Sequence, residues 1–486
     1  MICLVLSGST IEENLLQVER NRPYIDIVEL RVDLLEESEL NQAAAFPSLI
    51  DLPVILTCRR QSDGGSYQKS ERSRLALLST LLEGSFAYID LEEDVKKSLA
   101  EAQAKEKGIT IIRSLHNFET VIADIYHKIA KMAASGDIPK VAVTPRSVND
   151  LITLFRVKEE LASVPQKIVL GMGDFGFPSR ILYKKMGSML TYCADKPLAP
   201  GQITARMMKE LYRADQVDER THLYALIGNP VLHSFSPQIH NTGFHGIKYN
   251  AIYVPIPVDS VRSFFALAEM LKIVGFSVTV PLKQHVLPYL GQITREVKQI
   301  GSCNTVVRKR GLFSGINTDY YGFLRPLEHA IETQSIQSAL VVGAGGAARA
   351  VVWALRNHGV KVTILNRSAQ KAQQLANETM ASYDSLEHAH RYTEVNLVVQ
   401  TTSLGMEGEH MGVDPIPSFD FQPSHIVYEL VYRPRVTALL KRAQKGGSTL
   451  IYGLQMLIGQ GMLQFEAFTG YHYPKRLEQQ LDLEKE

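Results

Sequence analysis

Short apolar runs rich in β-branched residues recur along the first part of the chain, each followed by a stretch with helical spacing. The runs are ICLVLS (2–7), IVELRVD (27–33), PVILTCR (53–59), YIDLE (88–92), TIIRSLH (110–116), KVAVTP (140–145), KIVLGMG (167–173) and MLTYCA (189–194). Segments such as SRLALLSTLLEG and FETVIADIYHKIAKMAASG lie between them. Apolar strands separated by amphipathic helices predict βα units and a parallel sheet. Eight such units predict a compact (β/α)8 TIM barrel over residues 1–215, with an open doubly wound sheet as the competing arrangement. The charged stretch RADQVDERT (213–221) marks a boundary, and a new strand pattern begins at HLYALIG (222–228).

Chemistry in a barrel sits at the carboxyl ends of the strands, so the polar residues there are the candidates. Strand two carries Glu29, Arg31 and Asp33 at alternating positions, which predicts one shared face. Strand three ends in Thr57 and Arg59, followed by the turn Ser62-Asp63-Gly64-Gly65. Strand five ends in Ser114 and His116, and strand six carries Lys140. Arg180 follows GMGDFG, and Gln202 follows LAPG. Guanidinium groups around one mouth suit an anionic substrate. A lysine inside a barrel loses solvation, which favours the neutral amine that attacks a ketone to form a Schiff base. A nearby histidine can then take the alpha proton. Lys140 stands at the start of its apolar run, so either the strand begins near Ile138 or the side chain reaches upward.

The clearest local signal is SALVVGAGGAARAVVWALRNHG (338–359), a strand running into Gly343-Ala344-Gly345-Gly346-Ala347-Ala348 and then a helix. Glycines let the backbone approach a pyrophosphate, and the helix N-terminus supplies free N–H groups. The next strand ends in Asn366-Arg367-Ser368. An NAD enzyme places an acid there for the ribose hydroxyl; an arginine and a serine suit the 2′-phosphate of NADP. Ahead of this unit, HSFSP (233–237), GFSVTVPLK (275–283), GSCNTVV (301–307) and GINTDYYGF (315–323) crowd hydroxyls and amides at strand ends, as a polyhydroxylated ligand requires. Lys283 and Asp319 form the charged pair among them, and such a pair can serve proton transfer at an alcohol.

Two families resemble these patterns. Glu29-x-Arg31-x-Asp33, Thr57-x-Arg59, His116-Asn117-Phe118, IPKVAV around Lys140, Ser179-Arg180 and Ala199-Pro200-Gly201-Gln202 look like type I 3-dehydroquinate dehydratase over about residues 1–210. The resemblance implies Lys140 as the Schiff-base lysine, His116 as general acid/base, and Glu29, Arg31, Arg59, Arg180 and Gln202 as substrate contacts. Asp63 stands where a glutamate that orients the histidine is frequent, and Leu198 where a serine is frequent. From about 222 to 475 the motifs look like shikimate dehydrogenase: Ser234-x-Ser236, Val278-Thr279-Val280-Pro281-Leu282-Lys283, Asn304-Thr305, Asn317-Thr318-Asp319, the GAGGAA loop with NRS, TTSLGM (401–406), VYELVYRPRVT (427–437) and GLQMLIGQ (453–460). That resemblance implies a substrate lobe over 222–325, completed by helices at about 455–475, and a Rossmann-like NADP lobe over 326–454. It implies Lys283 and Asp319 as the catalytic pair and Ser234, Ser236, Thr279, Asn304, Tyr432 and Gln460 as substrate contacts. Gly343, Ala344, Gly345, Gly346, Ala347, Asn366, Arg367, Ser368, Thr402 and Gly453 are the implied NADP contacts. Ser277 and Glu429 replace a frequent asparagine and aspartate. The expected chemistry is dehydration of 3-dehydroquinate to 3-dehydroshikimate, then reduction to shikimate. A class I aldolase fused to a dehydrogenase, an NAD-dependent quinate dehydrogenase, and an inactive metabolite-sensing regulator are the alternatives.

Composition narrows the partners. Lys+Arg 52 against Asp+Glu 51 leaves no global field for nucleic acid or an acidic membrane. No run of about 18 apolar residues predicts a membrane span. Cys3, Cys58, Cys193 and Cys303 lie far apart, so neither a disulfide framework nor a zinc ribbon is expected. The histidines show no HExxH or comparable spacing, so no metal is expected. The start MICLVLSGST reads as a strand rather than a leader, and a reducing cytosol is the expected compartment.

Overall fold

The computed structural model describes residues 1–196, 201–333, 335–478 and 481. Leu198, Ala199 and Pro200 of the LAPGQ motif lie outside the described residues. The chain divides into two compact units, 1–223 with 250–272 and 224–249 with 273–486.

Eight parallel strands build the first unit: β1 (Ile2–Leu6), β2 (Ile27–Arg31), β3 (Val54–Thr57), β4 (Tyr88–Glu92), β5 (Thr110–Asn117), β6 (Ile138–Val143), β7 (Ile168–Gly171) and β8 (Thr191–Ala194). Their order is β7-β6-β5-β4-β3-β2-β1-β8, the sequential order of a barrel. The Met189 N–H donates to the Lys167 carbonyl at 2.9 Å, which brings β8 in beside β7. Thr10, Ser70, Ser98 and Ser147 each cap the helix they precede by accepting an N–H three residues on. Inward-facing residues alternate along each strand. Cys3, Ile27, Ile55, Ile112, Ile138, Ile168 and Tyr192 form one buried apolar cluster. One step further along the same faces stand Glu29, Thr57, Asp90, Ser114 and Lys140, all buried. Register pairs Thr57 with Asp90, Glu92 with Ser114, and Ser114 with Lys140.

One open alternative is decided here and one expectation is corrected. β6 begins at Ile138, the first of the two alternatives, so Lys140 is its third residue and faces the barrel interior. β2 ends at Arg31, and Asp33 lies in the short helical turn that follows rather than on a shared strand face. From there its carboxylate receives Arg31 at 2.8 and 2.6 Å and the backbone N–H groups of Arg59 and Ser66, each at 3.0 Å.

Beyond the barrel come β9 (His222–Gly228), β10 (Ala251–Pro257), β11 (Ile273–Val278), β12 (Gln292–Ile293), β13 (Thr305–Lys309) and β14 (Leu312–Ile316), in one sheet of order β10-β9-β11-β13-β14-β12. A third sheet holds β15 (Ser338–Val342), β16 (Lys361–Asn366), β17 (Ser382–Ser385), β18 (Leu397–Gln400), β19 (Ile426–Glu429) and β20 (Thr449–Ile451). Its order β17-β16-β15-β18-β19-β20 is all parallel, the doubly wound order with a switch point between β15 and β18. The loops after β15 and β18 therefore face one crevice, which is where such sheets bind nucleotides.

The fully buried Glu429 ends β19 and accepts from the Val431 N–H and the Thr437 hydroxyl, both at 2.9 Å. Burial pushes its carboxyl from 4.5 up to about 8, against the pull of those two donors. A raised acid binds a proton in the native state that the unfolded chain releases. Its contribution is present in full below about pH 4.5 and is lost as pH rises through about 8. Glu429→Gln keeps a neutral isostere and is expected to remove a stability loss on the order of 4 kcal/mol across that window. Thermal melts across the window check this: wild type should lose Tm faster than the variant as pH rises from about 4.5 to about 8.

Candidate functional site

The barrel interior holds a closed charge network. Lys140 Nζ donates to Asp90 at 2.8 Å and to Glu29 at 3.2 Å, and lies 4.4 Å from the centroid of the Tyr192 ring. Thr57 donates to the same Glu29 at 2.9 Å. Arg59 spans Asp90 at 2.9 Å and Glu92 at 3.1 Å, and donates to the Ser114 hydroxyl at 2.8 Å. Ser114 in turn donates to Asp90 at 2.5 Å. Burial alone would raise Asp90, but Arg59 and Lys140 outweigh it and hold the carboxyl well below the usual carboxylate range. Glu92 goes the other way: burial raises it although Arg59 and Arg74 oppose.

His116 sits at the open end of β5, beside a cavity of about 340 Å³ that Asp63, Glu92, Ser114 and Asn117 also line. Burial pushes the imidazole well below its ordinary 6.5, and the charges of Arg59 and Lys140 push the same way. The ring is therefore a neutral base at physiological pH. Its Nδ1 is shut off from solvent and has no partner among the described residues. Asp63 does not supply one, which corrects the expectation that it orients the histidine. Arg60 at 2.8 Å and the Ser62 hydroxyl at 2.8 Å take its short carboxylate instead.

The arginines divide in the same way. Arg31 and Arg59 are committed to carboxylates, whereas Arg180 is buried, donates to the Tyr192 carbonyl at 3.2 Å, and leaves its Nε without an acceptor among the described residues. Burial lowers it to about 10, so it remains a cation at neutral pH. A buried guanidinium with no acidic partner among the described residues suits an anionic ligand such as a carboxylate. Gln202 is half-buried just past Gly201, whose φ of 75° and close approach to the Gly173 carbonyl exclude a side chain there.

In the second unit Lys283 Nζ donates to Asp319 at 2.5 Å, and Asn304 Nδ2 donates to the other Asp319 oxygen at 2.8 Å. Asn304 also reaches Gln460 Oε1 at 3.2 Å and Thr318 at 2.9 Å. Ser234 and Ser236 share a hydrogen bond of 3.1 Å, and Tyr432 bonds to Ser234. Thr279 is half-buried and its N–H donates to the Ile227 carbonyl at 2.8 Å. Ser277 turns inward and donates to Gln464 at 2.8 Å, so this position is engaged in the core.

The nucleotide loop fits its expected cofactor on backbone grounds. Gly343 has a φ of 116°, and open space surrounds the place where a side chain of Gly345 would stand. The helix Gly346–Asn357 starts there with its N–H groups free for phosphate. A side chain on Gly346 would strike Lys283, so the loop and the Lys283–Asp319 pair adjoin. Ala344 and Ala347 complete the turn, and Thr402 caps its own loop by accepting the Leu404 N–H at 3.1 Å. Asn366 donates to the Ser368 carbonyl at 3.0 Å, while Arg367 is exposed with no side-chain partner among the described residues. Gly453 has a packing reason of its own: a side chain would meet the Leu430 carbonyl.

Sequence reasoning passed over Asp90, Glu92 and Tyr192. The signal for the two acids was the alternation Tyr-Ile-Asp-Leu-Glu on an otherwise buried strand, where ionised residues at successive inward positions are rarely structural alone.

A barrel with a buried lysine, neutral base and anion seat, followed by a nucleotide-binding sheet beside a Lys–Asp pair, defines a bifunctional lyase and dehydrogenase. Residues 2–219 match the type I 3-dehydroquinase family, 226–306 the shikimate dehydrogenase substrate binding domain, and 327–406 the shikimate / quinate 5-dehydrogenase family. A chloroplastic bifunctional 3-dehydroquinate dehydratase/shikimate dehydrogenase of Arabidopsis thaliana is 31% identical over 98% of this chain and 83% of its own length. A shikimate dehydrogenase (NADP(+)) of Desulforamulus reducens is 39% identical over 53% of this chain and 94% of its own. Among solved structures, shikimate dehydrogenase from Aquifex aeolicus matches with TM-score 0.50 at 34% identity, covering 54% of this chain and 98% of that one. A shikimate dehydrogenase in complex with NADP+ matches with TM-score 0.51 at 32% identity, covering 54% and 95%. The chain belongs to the bifunctional 3-dehydroquinate dehydratase/shikimate dehydrogenase family.

Proposed function

We propose that residues 1–215 dehydrate 3-dehydroquinate to 3-dehydroshikimate and that residues 222–325 and 326–454, with the helix near 455–475, reduce that product to shikimate with NADPH. The observation that carries this reading is Lys140: an amine buried inside the barrel, between two carboxylates and near an imidazole that burial keeps neutral.

Arg180 takes the substrate carboxylate, and Glu29, Arg31, Arg59 and Gln202 position the ring. Lys140 adds to the ketone and water leaves, forming the iminium. His116 takes the alpha proton, and the electron pair flows into the iminium nitrogen. The C–O bond then breaks, hydroxide leaves with the proton that His116 returns, and water hydrolyses the imine to free Lys140. The net change is the loss of one water.

In the dehydrogenase, Gly343, Ala344, Gly345, Gly346 and Ala347 would hold the pyrophosphate, Asn366, Arg367 and Ser368 the 2′-phosphate, and Thr402 and Gly453 the remainder of NADPH, which supplies hydride when bound. Ser234, Ser236, Thr279, Asn304, Tyr432 and Gln460 hold the substrate hydroxyls and carboxylate. Lys283 Nζ gives a proton to the carbonyl oxygen as it becomes an alcohol, and Asp319 holds that ammonium in place.

No described helix is long and apolar enough to cross a membrane, and the four cysteines are buried and unpaired. That supports a reducing compartment, and we place the protein in the cytosol.

Purified protein given 3-dehydroquinate should oxidise NADPH with no added enzyme. NADPH should outperform NADH, and Arg367→Ala should raise the KM for NADPH by about 10–100-fold with little effect on NADH, the worth of a charge-assisted phosphate contact. A wild-type preference for NADH, or for quinate over shikimate in the reverse direction, would overturn the assignment of the second half.

A further inference from the structure

Resting on that reading, we propose that Arg433 is a positioning residue that holds the Ser234–Ser236 loop in its substrate-binding geometry. The two serines flank Phe235, a buried residue at the entrance to the helix Ser236–Gly246. The Phe235 ring is gripped from the loop that follows β19 of the nucleotide sheet. The Arg433 guanidinium carbon lies 4.3 Å from its centroid, and the Tyr432 ring lies 5.7 Å away. Arg433 Nη1 also donates to the His233 carbonyl at 3.4 Å.

Arg433 reaches a third loop as well. Its carbonyl accepts the Glu407 N–H at 2.8 Å, in the segment after β18, while its Nε stands 4.0 Å from the Glu407 carboxylate. A half-exposed ion pair at that separation is worth little. The stack on Phe235 is the stronger contact, because the ring is buried and a guanidinium over an aromatic face is attracted by its quadrupole. Fixing the ring fixes the backbone on both sides of it, and that backbone carries Ser234 and Ser236. Arg433 touches no reacting atom, so it acts through the serines.

Contacts that hold ground state and transition state alike change KM and leave kcat. Arg433→Ala is therefore expected to raise the KM for shikimate about tenfold while kcat falls less than about threefold. Arg433→Lys keeps a cation over the ring and should recover most of the loss. Nucleotide affinity, followed through Trp353, the single tryptophan of the chain, should stay within about twofold. An unchanged KM in the alanine variant overturns the proposal. So does a fall confined to kcat, or a lysine variant as impaired as alanine. A wild-type protein that binds nucleotide but shows no shikimate-dependent turnover overturns the functional reading itself, and this assignment with it.

Discussion

Lys140→Arg is expected to abolish dehydration of 3-dehydroquinate while leaving reduction of 3-dehydroshikimate intact. A guanidinium keeps the positive charge that Asp90 and Glu29 hold at 2.8 and 3.2 Å, but it cannot form an imine. Lys140→Ala removes charge and nucleophile together and leaves Asp90 to Arg59, at 2.9 Å, and the Ser114 hydroxyl, at 2.5 Å. Removing one member of a buried ion network costs roughly 3–5 kcal/mol, so the alanine protein should also melt earlier. Both variants should lose dehydratase kcat by roughly 10⁴-fold or more, the scale for deleting a covalent nucleophile. Borohydride added with 3-dehydroquinate should trap a reduced adduct on wild type and on neither variant. An adduct that persists in Lys140→Arg would move the nucleophile elsewhere. Retained dehydrogenase activity in the same preparation separates lost chemistry from lost folding.

The carboxylates around Lys140 also revise the sequence argument about it. Burial was expected to favour a neutral amine, yet the barrel delivers two acids to the same nitrogen. Glu29 was visible as part of a motif. Asp90 was not, because strand four carries no turn glycine or recognisable spacing, only inward alternation. The start of β6 stayed open between Ile138 and Lys140, because Pro139 reads as a strand boundary although it pairs with Arg113 in register. The barrel itself was legible because parallel strands are buried on both faces and each reads as an apolar run. Asp63 failed for a different reason. Nothing along the chain reveals that Arg60 curls back on it, three residues away, and competes with His116. Arg433 was equally invisible, because its partner Phe235 lies 198 positions upstream and is brought to it only by folding.

Asp319→Asn should then cut the dehydrogenase kcat by roughly 10²–10⁴-fold, the scale of a general acid–base contribution, with the dehydratase untouched. The side chains have the same shape, so the helix Asp319–Leu324 should persist. What changes is the hydrogen-bond sense. The Asp319 carboxylate accepts from Lys283 on one oxygen and from Asn304 on the other. An amide offers one acceptor and one donor, so its NH2 must face either an ammonium or another NH2. One of the two contacts is lost in either rotamer. If the lost contact is to Lys283, Nζ is no longer held at the carbonyl oxygen; if it is to Asn304, the link to Gln460 at 3.2 Å loosens with it. Nucleotide binding, read from Trp353, should stay within about twofold, because no 2′-phosphate or pyrophosphate contact is touched. A variant with wild-type kcat would show that the proton reaches the substrate oxygen by a route that does not need this carboxylate, and Lys283 would lose its assignment too.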